Sequence, residues 1–195
     1  MAEETGSSNN NKVNRDSSSP WPEIETGAIV FLLDARDDFE VGLLRDWVES
    51  RRPNGDSQLR HSFIRLPKGR ADDLLTAMQG LDDSVWMQPL RIAWLPTSHM
   101  GGKRSLQDLF YGRIAKPGKI RRRLIAKFRP DRLAYVVGHG ACLHELRERR
   151  AEANVAKHDL SEFVANQALI ALERSERLVR GARYKVPRIL QSDVF

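Results

Sequence analysis

The chain has 195 residues, of which 41% are hydrophobic and 30% are charged, a composition typical of a soluble globular protein. Its longest uncharged apolar run, residues 27–33, is far shorter than the ~20 residues that a membrane-spanning helix needs, which excludes a spanning segment. The N-terminus has no secretory signal pattern. The single cysteine, Cys142, excludes an internal disulfide and a four-cysteine zinc site, so we expect a reducing, cytoplasmic setting.

Basic residues are concentrated in one segment. The chain has 32 Lys and Arg against 26 Asp and Glu, a net charge of +6. Residues 113–132 contain nine basic residues against Asp131 alone, an excess larger than the net charge of the whole chain. A local patch of this kind predicts an anionic partner, which would be acidic lipid, nucleic acid or an acidic protein surface.

The composition of residues 1–26 predicts a disordered tail. Serine and asparagine are frequent there and apolar residues are scarce, so ordering the segment would bury too little surface to offset the lost entropy. We therefore expect that deletion of residues 1–24 leaves the thermal midpoint nearly unchanged. Residues 27–195 are predicted to form a single α/β domain.

The hydrophobic pattern in the first half of the domain predicts three strands separated by two helices. The strands cover residues 28–33, 61–66 and 90–95, and the helices cover residues 37–51 and 71–80. Pro53-Asn54-Gly55 ends the first helix, and Gly80 ends the second.

In the second half, a loop over residues 97–116 precedes four further elements. They are a basic helix over 120–128, a strand over 133–137, a helix over 141–150 and a long helix over 159–180. Asp159 and Glu162 stand at capping-box spacing at the start of the long helix, and Gly181 marks its predicted end. The alternation predicts an α/β fold with a largely parallel sheet of about four strands, flanking helices and a long C-terminal helix.

The basic helix supplies the candidate anion- or membrane-binding residues. Ile120, Leu124 and Phe128 recur every fourth residue as an apolar stripe, and cations occupy most of the remaining circumference: Lys119, Arg121, Arg122, Arg123, Lys127 and Arg129. Two interpretations stay open. The stripe packs on the chain's own sheet beneath a solvated basic face, or it enters a lipid interface while the cations meet an acidic leaflet. Aromatic residues are sparse in the patch, which gives nucleic acid little support.

Three further patterns suit a reactive or ligand-binding site, but each also has a simpler structural explanation. The segment Gly138-His139-Gly140-Ala141 precedes a helix. It suits either an anion-binding turn or an ordinary glycine-containing turn at a helix start. Cys142 beside His139 and His144 suits a thiol nucleophile with its base, but no orienting acid is evident. Two pairs at i, i+4 spacing suit a metal ion or a surface ion pair: His144/Glu148 and His158/Glu162. We assign no catalytic residue, metal ligand or cofactor.

Several strings occur in a characteristic order. They are HSFIRLP at residues 61–67, LRIAWLP at 90–96, the arginine-rich segment before residue 133, LRE at 146–148 and GARYKVPR at 181–188. This ordered set resembles the N-terminal region of bacterial membrane-bound glycerol-3-phosphate acyltransferases of the PlsB type, the actinobacterial branch most closely. The resemblance covers roughly residues 27–195.

The resemblance implies a non-catalytic N-terminal domain. In the family, a His-x4-Asp box and a phosphate-binding motif lie in an acyltransferase domain that follows this region, and none of the five histidines here begins such a box. The resemblance therefore implies an isolated domain, a truncated product or a fragment, inactive alone. We expect it to contact an anionic membrane, at the inner face of the cell membrane, or the acyltransferase catalytic domain.

The alternative is a stand-alone basic module that binds nucleic acid or an acidic protein. The sequence leaves the oligomeric state open.

Overall fold

The computed structural model describes residues 19–23, 27–53, 59–67, 72–95, 117–153 and 159–192, with side chains in the last range up to residue 179. The elements in chain order are β1 (Gly27–Asp34), α1 (Asp38–Ser50), β2 (Leu59–Arg65), α2 (Asp72–Met78), β3 (Trp86–Trp94), α3 (Lys119–Phe128), β4 (Leu133–Val137), β5 (Ala141–Cys142), α4 (Leu143–Glu152) and α5 (Leu160–Ser192). A single 3-10 turn, Pro130–Arg132, joins α3 to β4.

The strands form one five-stranded sheet in the order β2-β1-β3-β4, with β5 also paired to β3. The central strand β1 is parallel to both neighbours, and Ile29 is in register with His61 of β2 and Trp86 of β3. The β4 and β5 pairings with β3 are antiparallel. Strand β4 begins beside the end of β3, where the Leu95 N–H donates to the Arg132 carbonyl at 2.7 Å. The predicted α/β fold with a largely parallel sheet is confirmed.

Both faces of β1 are covered, which explains its nearly continuous apolar sequence. Val30 and Leu32 point into a core shared with α2, α4 and α5. Ile29, Phe31 and Leu33 point into a second core on the opposite face, shared with α1 and α3. The basic helix and the long C-terminal helix therefore lie on opposite sides of the sheet.

Several predicted boundaries are wrong, and those of β3 and α5 differ most. Strand β3 begins at Trp86 instead of residue 90, because Gln88 and Pro89 interrupt the apolar run while belonging to the strand. Gln88 is buried, and its side-chain amide donates to the Gly138 carbonyl at 2.7 Å. Helix α5 continues through Gly181 to Ser192, because a glycine inside a helix costs only about 1 kcal/mol relative to alanine and does not by itself end the helix.

The predicted helix over 141–150 begins two residues later than expected. Ala141 and Cys142 form β5 and pair with Met87 and Trp86 of β3, and α4 starts at Leu143.

Most of the predicted tail lies outside the described residues, but Trp21 is part of the core. Its side chain is 5% exposed, and its indole N–H donates to the Val48 carbonyl at 3.0 Å. The ring also meets Phe31 and His61 edge to face, with centroid distances of 5.3 and 5.2 Å. The expectation that residues 1–24 can be removed without cost is therefore revised, because that deletion removes a buried tryptophan.

We predict that Trp21→Ala lowers the free energy of unfolding by about 3 kcal/mol, the size typical of removing a large buried aromatic side chain. Deletion of residues 1–24 should cost a similar amount, measured by urea denaturation. The exposed Glu23 is the matched control, and Glu23→Ala should leave the urea midpoint nearly unchanged. An unchanged midpoint after the deletion would contradict the packing described for Trp21.

Candidate anion-binding surface

Helix α3 depends on the rest of the fold for its stability. It has ten residues, no acidic side chain in its first turn, and no side-chain cap at Gly118. A helix this short is marginal by itself in water, so tertiary contacts must hold it. Two of its residues are buried, Arg122 and Ile125, and they define the face that contacts the protein.

Arg122 is an internal ion-pair partner. Its side chain is 7% exposed, and its two terminal nitrogens reach Glu40 Oε1 at 2.6 Å and Asp37 Oδ2 at 2.8 Å. The sequence analysis places Arg122 among the anion- or membrane-binding residues. That assignment is wrong, because both of its terminal nitrogens face carboxylates of α1 and its N-cap.

Glu40 collects hydrogen bonds from three parts of the chain. Its Oε1 accepts from Arg122 of α3 and from the indole N–H of Trp94 at the end of β3, the latter at 3.0 Å. Its Oε2 accepts from the backbone N–H of Arg36, which follows β1, at 2.7 Å. A buried carboxylate is stable only when it is paired and hydrogen-bonded in this way. Helix α3 is thus fixed to the carboxyl ends of β1 and β3.

Four of the predicted cations reach solvent. Lys119, Arg123 and Lys127 are exposed, and Arg121 is partly exposed. The Arg123 guanidinium lies over the Phe39 ring at 5.7 Å, and the Lys127 ammonium lies 5.4 Å from the Phe128 ring centroid. Arg129 is partly buried and pairs with Asp131 at 3.2 Å. We therefore define the basic face of α3 as Lys119, Arg121, Arg123 and Lys127.

The apolar stripe points away from the protein. Ile120 is 76% exposed and Phe128 is 56% exposed, while Leu124 between them is only partly covered. The interpretation in which the whole stripe packs on the chain's own sheet is wrong. With 100° per residue, seating Arg122 and Ile125 against α1 and the sheet turns residues 120, 124 and 128 outward. The outer surface of α3 therefore combines an apolar ridge with the basic face.

The glycine turn before α4 favours ordinary turn packing over an anion site. The first amides of α4 are already used, since the N–H groups of Leu143 and His144 donate to the carbonyls of Val85 and Asp83, both at 2.9 Å. The glycines have a packing role instead. A Cβ at Gly140 would collide with the indole nitrogen of Trp86, so this position must lack a side chain.

Among the described residues, the surroundings of Cys142 and His144 favour the simpler explanations. Burial raises the pKa of the Cys142 thiol, and the nearby charge of Glu145 raises it further, which disfavours the nucleophilic thiolate. His144 and Glu148 form an exposed pair at 3.2 Å along one turn of α4. His158 of the other predicted pair lies outside the described residues.

Sequence reasoning missed the acidic partners of Arg122. Asp37 caps α1, and its Oδ1 accepts from the Glu40 N–H at 3.2 Å. The three-residue spacing of an aspartate and a glutamate at a helix start is a visible signal for a cap. It gives no indication that a cation 82 residues further along the chain will bind the same glutamate.

No protein-family model matches the chain, and no solved structure gives a significant match. Among the residues that the structure describes, no helix has the length and apolar character needed to cross a membrane. The function of α3 therefore has to be inferred from its own geometry.

We predict that Arg122→Gln lowers the free energy of unfolding by about 3 kcal/mol, because it leaves the buried Glu40 carboxylate without its cationic partner. Arg121→Gln removes a charge of the same kind from the preceding residue, which is only partly buried. It should change the free energy of unfolding by less than about 0.5 kcal/mol. Urea denaturation of both variants makes the comparison. Equal effects would contradict the anchoring role of Arg122.

The same contacts predict an acid-sensitive stability. Burial raises the pKa of Asp37, but the Glu40 backbone N–H and the charges of Arg122 and Lys119 outweigh it, so the pKa lies below 3.8. A lowered pKa in the folded state adds stability above the unfolded value, and this contribution is lost as the pH falls through the folded value. Below pH 3.8, the unfolding free energy of the wild type should therefore fall more steeply than that of Asp37→Asn, which keeps a capping side chain. Identical pH slopes would contradict this account.

Proposed function

We propose that the chain is a non-catalytic domain that contacts an anionic membrane surface through the outer side of α3. On the basis of the resemblance described above, we further propose that this domain is the N-terminal domain of a glycerol-3-phosphate acyltransferase in phospholipid synthesis. The observation that carries the membrane contact is the 76% exposure of Ile120, which lies in the first turn of α3 beside the basic face.

The two kinds of side chain on this surface suit a lipid interface. Interfacial helices bury an apolar ridge at the boundary of the acyl chains while flanking cations meet anionic headgroups. Each basic residue near an acidic leaflet contributes on the order of 1 kcal/mol, so the four residues of the basic face contribute on the order of 4 kcal/mol. Burial of Ile120 and Phe128 adds to this, at roughly 2 kcal/mol for each side chain that becomes fully buried.

The ion pairs of Arg122 make α3 a preformed binding element. A basic segment that folds only on contact must offset its ordering entropy at that moment. Here the helix is already formed and oriented, because Arg122 and the fully buried Ile125 hold its inner face. Preorganisation of this kind raises affinity by removing a cost of binding.

Nucleic acid suits the same surface less well. Single-stranded nucleic acid is held by aromatic stacking platforms as well as by cations. The exposed ridge of α3 is mostly aliphatic, with Phe128 as its aromatic member, and the Phe39 ring already lies beneath Arg123. Phosphates would satisfy the basic face but leave Ile120 and Leu124 in water.

The test compares flotation with phosphatidylcholine vesicles that contain or lack phosphatidylglycerol. Wild-type protein should float only with the anionic vesicles, and its affinity should fall as salt rises, because exposed charges are screened beyond about 10 Å at 0.1 M salt. The triple variant Arg121→Gln, Arg123→Gln, Lys127→Gln should lose at least about tenfold in affinity. Arg122 is left unchanged so that the fold survives.

A matched control separates position from net charge. Arg60, Arg147 and Arg177 are exposed arginines on other elements, and their triple Gln variant loses the same three charges. It should keep most of its vesicle affinity, whereas an equal loss in both triples would overturn a localised contact. Absence of anionic-vesicle binding would overturn the proposal, and tighter binding to an oligonucleotide at matched salt would favour the nucleic-acid alternative. Binding to neither ligand would point to a protein partner such as the catalytic domain.

The apolar ridge has its own prediction. Ile120→Ser with Phe128→Ser removes two exposed side chains, so the free energy of unfolding should barely change, while vesicle affinity should fall about tenfold or more. Leu178→Ser, at an 83% exposed position on α5, is the control and should bind as the wild type does. Unchanged affinity of the ridge variant would mean that charge alone accounts for the binding.

A further inference from the structure

A cleft of about 160 Å³ opens between α4 and α5, on the face of the sheet opposite to α3. Its floor is apolar and combines five buried side chains from the sheet and the two helices: Leu32, Met87, Leu146, Val164 and Ala168. An aliphatic cavity of about 150 Å³ is large enough to take up benzene. The cleft as a whole therefore has room for an apolar body of about six heavy atoms.

Two arginines and a histidine form the rim of the cleft. His139 from the β4–β5 connection, Arg149 from α4 and Arg174 from α5 line the cleft, and all three are exposed. None of the described residues that line the cleft is acidic. Arg149 has a long ion pair with Glu145, 3.4 Å, along its own helix. In the part of the chain that the structure describes, Arg174 makes no ion pair.

We infer that this cleft binds a small amphiphilic monocarboxylate, an organic acid with an apolar body of about six heavy atoms. The floor removes the apolar body from water, and the planar carboxylate accepts charge-assisted hydrogen bonds from Arg174 and Arg149. An uncharged ligand of the same shape has no net Coulomb attraction to the arginines of the rim, and a cation is repelled by them. The inference does not depend on α3, because the two surfaces share no residue.

The test uses benzoate, with benzyl alcohol as the uncharged probe of nearly the same size, in a titration of the full chain followed by heteronuclear NMR. Benzoate should shift the amide signals of Ala168 and Ala171 and bind about tenfold more tightly than benzyl alcohol. Failure of benzoate to bind, or equal affinity of the two probes, would overturn the inference.

Arg174→Gln changes the rim without touching the core and should weaken benzoate about tenfold while leaving benzyl alcohol unaffected. Arg177→Gln is the matched control, because Arg177 lies one turn further along α5, is 77% exposed and does not line the cleft. Equal effects of the two substitutions on benzoate would overturn the role of the rim.

Ala168→Leu should block both probes by filling the floor, with the thermal midpoint measured to establish that the variant folds. A folded Ala168→Leu protein that still binds benzoate as the wild type does would overturn the assignment of the floor. If this variant does not fold, the Arg174 and Arg177 comparison still decides the inference, because both positions are exposed.

Discussion

The buried ion pair of Arg122 with Glu40 and Asp37 determines how the basic helix meets the rest of the protein. Glu40 also accepts hydrogen bonds from Trp94 and from the backbone of Arg36, so one carboxylate joins α1, α3 and the carboxyl ends of two neighbouring strands. A carboxylate that is 3% exposed depends strongly on such partners. The orientation of α3, and with it every property of its outer surface, follows from this contact.

A second ion-pair cluster has the same role for the C-terminal helix. Arg91 of β3 binds Asp34 at the end of β1 at 2.6 Å and Glu176 of α5 at 2.8 Å. Burial lowers the pKa of Arg91, but the two carboxylates outweigh it and raise the pKa overall, so the guanidinium stays charged. Arg91 thus ties the sheet to α5 on one face, while Arg122 ties α3 to α1 on the other. The outer side of α3 and the cleft beside α5 lie on opposite faces of the sheet.

The fold was largely accessible from the sequence, while the orientation of α3 was not. Alternating apolar runs and helical periodicity are local signals, and they predicted the strand over 133–137 and the α3 helix to within a residue. The inward face of α3 depends on a partner 82 residues away, so periodicity alone left open whether the stripe of Ile120, Leu124 and Phe128 packs inward or faces outward. An arginine that is buried by a distant carboxylate looks the same in sequence as an arginine in solvent.

Trp21 and Gln88 illustrate the same limit. Trp21 stands alone in a polar segment without periodicity, and its burial comes from a pocket formed by α1, β1 and β2. Gln88 interrupts an apolar strand, yet it is buried because its amide finds the Gly138 carbonyl on a neighbouring loop. In both cases a long-range contact overrides the local pattern, and only the folded chain brings the two partners together.

The central claim is that anchoring by Arg122 presents the ridge of α3 to an anionic membrane. Nitroxide labels at positions 120 and 178, in a Cys142→Ser background, test it most directly by electron paramagnetic resonance with and without phosphatidylglycerol vesicles. The account predicts that both labels are water-exposed and mobile without vesicles, and that with vesicles only the label at 120 gains accessibility to oxygen and loses accessibility to a polar relaxant. A label at 120 that is immobile without vesicles would contradict the outward orientation of the ridge, and one that stays aqueous with vesicles would contradict the membrane contact.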